Sequence, residues 1–150
     1  MMHITIRPAT LADVRVLAEH NMAAAAESEG LHMDEATAWA GVEAVLRRPE
    51  IGRYFIAETD AGVAGSLMIT YEWRDWRNKM SWWIQSVFTR PAFRNKGVYA
   101  ALYQHILELA RQEGIYSVRL YAEKDNLAAQ AVYRKLGMKQ GEYQMFDQTL

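Results

Sequence analysis

The run Arg94-Asn95-Lys96-Gly97-Val98-Tyr99 constrains this chain more than any other stretch. A strand-like segment, Ser81–Thr89, leads into it, and Pro91 ends strand pairing by removing a backbone donor. After Gly97 the pattern switches to a helical period. Val98, Leu102, Ile106 and Leu109 share one face, with Ala101 and His105 beside them. The glycine therefore sits where a strand hands over to a helix. The first N–H groups of a helix have no acceptor within it, and the macrodipole adds roughly half a positive charge at that end. Gly97 has no Cβ, so a ligand can approach the backbone closely. Arg90, Arg94 and Lys96 add side-chain cations nearby. This is the chemistry of a pyrophosphate cradle. A basic turn before an ordinary surface helix would use the same letters, so the reading needs a second signal.

That signal lies downstream. Asp125–Met138 reads as a complete helix, with Asp125 or Asn126 to cap its start and Gly137 to stop it in a left-handed conformation. Leu127, Ala131 and Leu136 supply a small apolar face. In their order, the two segments resemble the GNAT superfamily of acyl-CoA-dependent N-acetyltransferases. The family carries Arg/Gln-x-x-Gly-x-Gly/Ala at the first junction. Arg94 and Gly97 match it, and Tyr99 stands where a small residue is usual. The family's second pattern is Asn, small residues, then Ala-x-x-x-Tyr-x-x-x-Gly-Phe. Asn126, Ala129, Tyr133 and Gly137 match it, with Met138 in place of Phe. The resemblance runs from about Arg53 to Met138. Before Ala40 family members vary, and there substrates are usually selected.

The element pattern agrees with that resemblance. Ile4–Arg7 alternates as a short strand, and Thr10-Leu11-Ala12-Asp13 resembles a capping box before a first helix. Asp34 can cap a second helix through Arg47. Strands follow at Arg53–Thr59, Val63–Trp73 and Met80–Thr89, then a helix over Arg94–Glu113 and a strand over Ile115–Ala122. The capped helix from Asn126 comes next, and a last strand is expected at Gln144–Phe146. The order β-α-α-β-β-β-α-β-α-β implies an α/β (α+β) protein with a mixed sheet flanked by about four helices. The resemblance implies a GNAT-like fold: a mostly antiparallel central sheet with a splayed parallel strand pair. Residues 1–150 are expected to form one N-acetyltransferase domain, because 150 residues is the size of a single domain. A chain of this length buries about 68–70% of its unfolded surface without staples.

Composition removes other classes. The absence of cysteine excludes disulfides, thiolate metal sites and a cysteine nucleophile. A net charge of −1 argues against a general nucleic-acid surface. No apolar run approaches the roughly 20 residues of a membrane span. The opening residues are strand-like rather than a signal peptide, so a cytoplasmic protein is expected. The four histidines lack His-Glu-x-x-His spacing, so no metal is expected; Gly97 is followed by Val98 rather than Lys-Ser/Thr, which excludes a P-loop. No Gly-x-Ser-x-Gly elbow occurs.

The resemblance implies acetyl-CoA as co-substrate, with its pyrophosphate held by Arg94, Asn95, Lys96, Gly97, Val98 and Tyr99. It also implies that backbone groups of Val87, Phe88 and Thr89 hold the acyl carbonyl and pantetheine arm, with Asn126 and Tyr133 beside the cofactor. Tyr133 would protonate the leaving thiolate. The acceptor would be a small-molecule amine. An alkylamine has a pKa of about 10.4, so only about one molecule in a few thousand is neutral at pH 7, and a base or water relay must remove a proton. Without cysteine, direct attack in a ternary complex is the simplest route. Two carboxylates at strand ends, Glu72 and Glu123, are candidate bases. Glu72 is favoured because Trp73, Trp76, Trp82 and Trp83 surround it in sequence and would desolvate it. Glu27, Glu72, Trp73 and Gln85 are the candidate substrate contacts. Two alternatives stay open: a non-catalytic acyl-CoA-binding regulatory module, and a transferase acting on protein or peptide amines. An edge strand at the C-terminus offers pairing to a second copy, so a homodimer is the assembly considered beside the monomer.

Overall fold

The computed structural model describes residues 2–150, and Met1 lies outside them. The strands are β1 (Thr5–Pro8), β2 (Arg53–Thr59), β3 (Gly62–Arg74), β4 (Lys79–Thr89) and β5 (Val118–Arg119). The helices are α1 (Val14–Glu29), α2 (Glu35–Arg47), α3 (Val98–Gln112) and α4 (Leu127–Lys135), with 3-10 turns at Leu11–Asp13 and Pro91–Phe93. The strands form one five-stranded sheet in sequence order. Its first three pairings are antiparallel, and β4 with β5 is parallel. The mixed sheet is the architecture expected from the element order, and its parallel pair is the one the resemblance implied. Contacts divide the chain into two compact units, residues up to Leu120 and Tyr121–Leu150.

In the first unit, strand alternation sends side chains to two faces. Tyr54 and Ile56 of β2 meet Leu17 and Ala18 of α1 and Ala38, Val42 and Val45 of α2 in one buried cluster, with Met68 of β3 packed against it. Phe55, Leu67, Ile69, Ile84 and Trp82 point to the opposite face, where Phe55 meets His105 of α3. Adjacent residues Trp82 and Trp83 thus part company: Trp82 is buried and Trp83 half-buried on the α1/α2 side.

Gly65 fixes how closely α3 begins against the sheet. A Cβ there would lie 2.6 Å from the Phe88 carbonyl oxygen and 3.1 Å from Val98 Cγ1. Only glycine permits this approach, which seats the first residue of α3 on β3 and β4.

Several boundaries differ from the sequence reading. The third helix starts at Val98 rather than Arg94, because Pro91–Phe93 forms a 3-10 turn and Asn95 and Gly97 adopt positive φ. β5 covers only Val118–Arg119 of the expected Ile115–Ala122. Beyond the pair Trp83↔Arg119 the parallel ladder stops, because β5 ends there while β4 continues to Thr89. Gln144–Phe146 forms no strand, and Tyr143 and Phe146 are exposed there.

In the second unit, Asn126 Oδ1 accepts from the Ala129 N–H at 3.2 Å and caps α4. Gln130 Nε2 donates to the carbonyls of Glu123 and Lys124, each at 3.0 Å, which ties the helix to its approach. At the other end, Met138 N–H reaches the Tyr133 carbonyl and Gly137 N–H the Arg134 carbonyl, each at 3.0 Å. That pair of bonds is a Schellman motif, and the motif requires the positive φ that Gly137 supplies.

Candidate active site

The start of α3 has no side-chain cap. Gly97 is its N-cap, at φ 80°, and a Cβ added there would meet nothing within 4 Å. The space in front of the helix is therefore open, and the first-turn amides beginning at Val98 lie beyond the reach of the helix's own carbonyls. Asn95 is left-handed too, at φ 61°. Tyr99, the departure from the family pattern, lays its ring against Tyr103 one turn along, at 6.0 Å between centroids.

The basic side chains behave differently from the simple expectation of a cation cluster. Arg94 is engaged: Nη2 donates to both Glu27 oxygens, at 3.0 and 2.8 Å, and Nε to the Thr89 carbonyl at 2.9 Å. Its guanidinium also lies over the Phe88 ring. Arg94 therefore fastens the loop to the end of α1, and Glu27 is its ion-pair partner. Lys96 Nζ donates to the Ala92 carbonyl at 3.1 Å. Arg90 Nε donates to His20 Nε2 at 3.1 Å. That bond puts the imidazole proton on Nδ1, which donates to Ser66 Oγ at 2.7 Å. Burial, with the Arg90 charge added, pushes the His20 pKa down to about 4, so the ring is neutral near pH 7.

The sheet supplies a second special piece of backbone. Ser66 opposes Phe88 and Met68 opposes Gln85, so Ser86 and Val87 together face the single residue Leu67. This is a β-bulge in β4, and Ser86 within it has φ 52°. A bulge interrupts the ladder and re-aims an amide away from its neighbour strand. The Tyr54 hydroxyl accepts from Asn21 Nδ2 at 3.1 Å and hydrogen-bonds with the Ser86 side chain, so α1 and β2 both support the bulge. Sequence reading missed Ser86, Tyr54 and Asn21; the one available signal was a polar Gln85-Ser86 pair inside an apolar strand. Next to the bulge, Gln85 Nε2 donates to Thr70 Oγ1 at 2.6 Å, which leaves Oε1 to accept.

Glu72 is not a desolvated lone carboxylate. Trp83 Nε1 donates to it at 2.7 Å, Arg119 Nη1 bridges both its oxygens at 3.2 and 3.0 Å, and Arg74 Nε lies at 3.5 Å. The aromatic neighbour is present, but as a hydrogen-bond donor. By register Glu72 opposes Ser81, five residues before Ser86, which is roughly 17 Å along a strand. Trp73 and Trp76, two other members of the expected aromatic wall, are exposed near the β3–β4 turn. Glu123 lies outside β5, in an exposed segment of the second unit.

Tyr133 sits in the last turns of α4, half-buried, and burial raises its pKa above the ordinary phenol value. It therefore carries its proton throughout the neutral range. Among the described residues no group of three or more His, Cys, Asp or Glu side chains is placed to hold a metal. No described helix is long and apolar enough to cross a membrane.

The sequence profile of the acetyltransferase (GNAT) family matches residues 14–138. The chain belongs to that family. A possible acetyltransferase from Clostridium difficile 630 is 36% identical, with a TM-score of 0.92 over 98% of this chain and 97% of the other. A predicted acetyltransferase from Clostridium acetobutylicum, solved with acetyl-CoA, shares the fold at 18% identity and a TM-score of 0.77, over 97% and 96% of the two chains. The aminoglycoside N-acetyltransferase AAC(6')-Iy, solved with CoA, does so at 20% identity and 0.78, over 99% and 96%. No curated protein matches the chain significantly.

Proposed function

We propose that the protein transfers an acetyl group from acetyl-CoA to a primary amine by direct attack in a ternary complex. The observation that carries this reading is the open, uncapped start of α3 at Gly97 in a member of the acetyltransferase family. Backbone amides from Asn95 to Val98 hold the pyrophosphate, and Lys96 adds charge. Arg94 acts through its backbone and through the Glu27 pair that fixes the loop. The family match crosses the division between the two units, which supports reading the chain as one acetyltransferase domain. A cytoplasmic location fits an acetyl-CoA-dependent reaction on small amines.

Each group then has a distinct role. The amine nitrogen forms a bond to the thioester carbonyl carbon, the carbon–sulfur bond breaks, and the nitrogen loses one proton. Amides at the bulge, foremost that of Val87 and further along that of Thr89, stabilise the charge that grows on the carbonyl oxygen. Gln85 Oε1 orients the amine. Tyr133 donates its proton to the departing sulfur, and its raised pKa keeps that proton in place beforehand. Glu72, ion-paired and distant along the strand from the bulge, is better suited to recognition than to taking the proton. Glu123 is exposed and keeps no desolvated setting. A water relay then carries the proton from the amine.

Thiol release from acetyl-CoA in the presence of a mixed amine set tests the reading. Tyr133→Phe should lower turnover by roughly 10²–10⁴ with acetyl-CoA affinity little changed. Wild-type rates in that variant would remove Tyr133 from the reaction. Tight acetyl-CoA binding without thiol release from any amine would make the protein a binding module.

A further inference from the structure

Near the end of the short β4–β5 ladder, two guanidinium groups stand against one carboxylate. Arg119 and Arg74 both lie within ion-pair distance of Glu72, at 3.0 and 3.5 Å, and the three side chains are about one-third exposed. The cluster therefore carries one positive charge in excess. Both Arg119 bonds to Glu72 use the same nitrogen, Nη1. A guanidinium is a planar fork with five N–H donors, so its other edge can take a second acceptor. The plane is held in place from two sides: Glu72 fixes one edge and the Trp83 ring lies 5.0 Å beneath. Trp83 is itself anchored by its Nε1 bond to Glu72. An arginine ordered in this way is prepared for a carboxylate, because little side-chain freedom remains to be lost on binding.

The register relates this cluster to the reaction site. Arg119 opposes Trp83 in the last parallel pair. Gln85 lies two residues further along β4, on the same face, and the bulge at Ser86 and Val87 follows directly. Two residues of strand span roughly 7 Å. From these placements we propose that the acceptor carries a carboxylate several bonds away from its reacting amine: Arg119 receives the carboxylate while the amine stands by Gln85. The amine and carboxylate of an ω-amino acid or of a short peptide match that separation, and those of a free α-amino group with its own carboxyl are too close together. This inference rests on the transfer reaction proposed above and names its acceptor class. Glu72 then serves to order Arg119.

The test compares matched acceptors in the thiol-release assay. 4-Aminobutyrate, 6-aminohexanoate and glycylglycine are set against propylamine, pentylamine and glycine. The longer carboxylate-bearing acceptors should exceed their partners in kcat/KM by about 10- to 100-fold, the range of one charge-assisted hydrogen-bonded contact. The gain should lie mostly in KM. In Arg119→Gln the ratio should fall to near one, and Arg119→Lys should keep part of it. Amino acid against peptide in the same panel separates a free metabolite from a peptide source. Turnover with no preference for the carboxylate overturns the inference and leaves the transferase reading standing. Equal losses on both members of a pair in Arg119→Gln, with the ratio retained, also overturn it, because a purely structural arginine would act that way. Acetyl-CoA binding without turnover of any acceptor overturns the transferase reading, and this inference with it.

Discussion

The starts of α2 and α3 face the same physical problem and resolve it in opposite ways. Both must satisfy N–H groups that have no acceptor within the helix. At α2, Asp34 closes the end: its carboxylate accepts from the Thr37 N–H at 2.9 Å and from the Thr37 hydroxyl at 2.8 Å. At α3 the cap residue is Gly97, which has no side chain and has open space where one would be. A helix start that serves only the fold carries its own anion. In the function proposed above, the pyrophosphate of acetyl-CoA takes at α3 the place that the Asp34 carboxylate fills at α2.

A carboxylate placed at the open end should erase this contrast. Gly97→Asp puts a fixed negative charge where the pyrophosphate is proposed to bind, and aspartate tolerates the left-handed region better than most residues. Acetyl-CoA affinity should fall by about 100-fold, measured by calorimetry, while the melting temperature changes by only a few degrees. Unchanged affinity would mean that the end of α3 holds no phosphate. Gly97→Asn adds a side chain of similar size without charge and separates crowding from repulsion. Its affinity loss should be about 10-fold, with a small loss in melting temperature from the left-handed backbone at this position.

At the closed end the consequences should be milder. Asp34→Ala should lower the melting temperature by a few degrees and leave acetyl-CoA affinity as it was. The hydrogen bonds from Thr37 lower the Asp34 pKa below the ordinary carboxylate value. Its contribution is therefore present above about pH 3.9 and is lost as pH falls through the lowered folded-state value. The difference in melting temperature between wild type and Asp34→Ala should accordingly shrink toward pH 3. A difference that stays constant with pH would show that the carboxylate is not what closes α2.

Much of the framework was legible in the sequence because it is local. Strand β2 occupies Arg53–Thr59 as its apolar run predicts, and the Asn126 cap with the Gly137 stop delimits α4. Gly97 marked the open helix start through its lack of a side chain alone. The remainder depends on which strands lie side by side. The bulge at Ser86 exists only against β3, and the hydrogen-bond partners of Glu72 come from β4 and β5, 11 and 47 residues further along the chain. Arg94 finds Glu27 across 67 residues.

The order of elements from β1 to α4, most of their caps and the glycine that opens α3 are written in the chain itself, because they follow from propensities and side-chain sizes within a few residues. Three features came only with the folded sheet: Glu72 orders an arginine instead of standing as a lone base, Arg94 fastens a loop, and a left-handed serine interrupts β4. Strand register and long-range ion pairing are set by packing the whole sheet, and no local pattern carries that information.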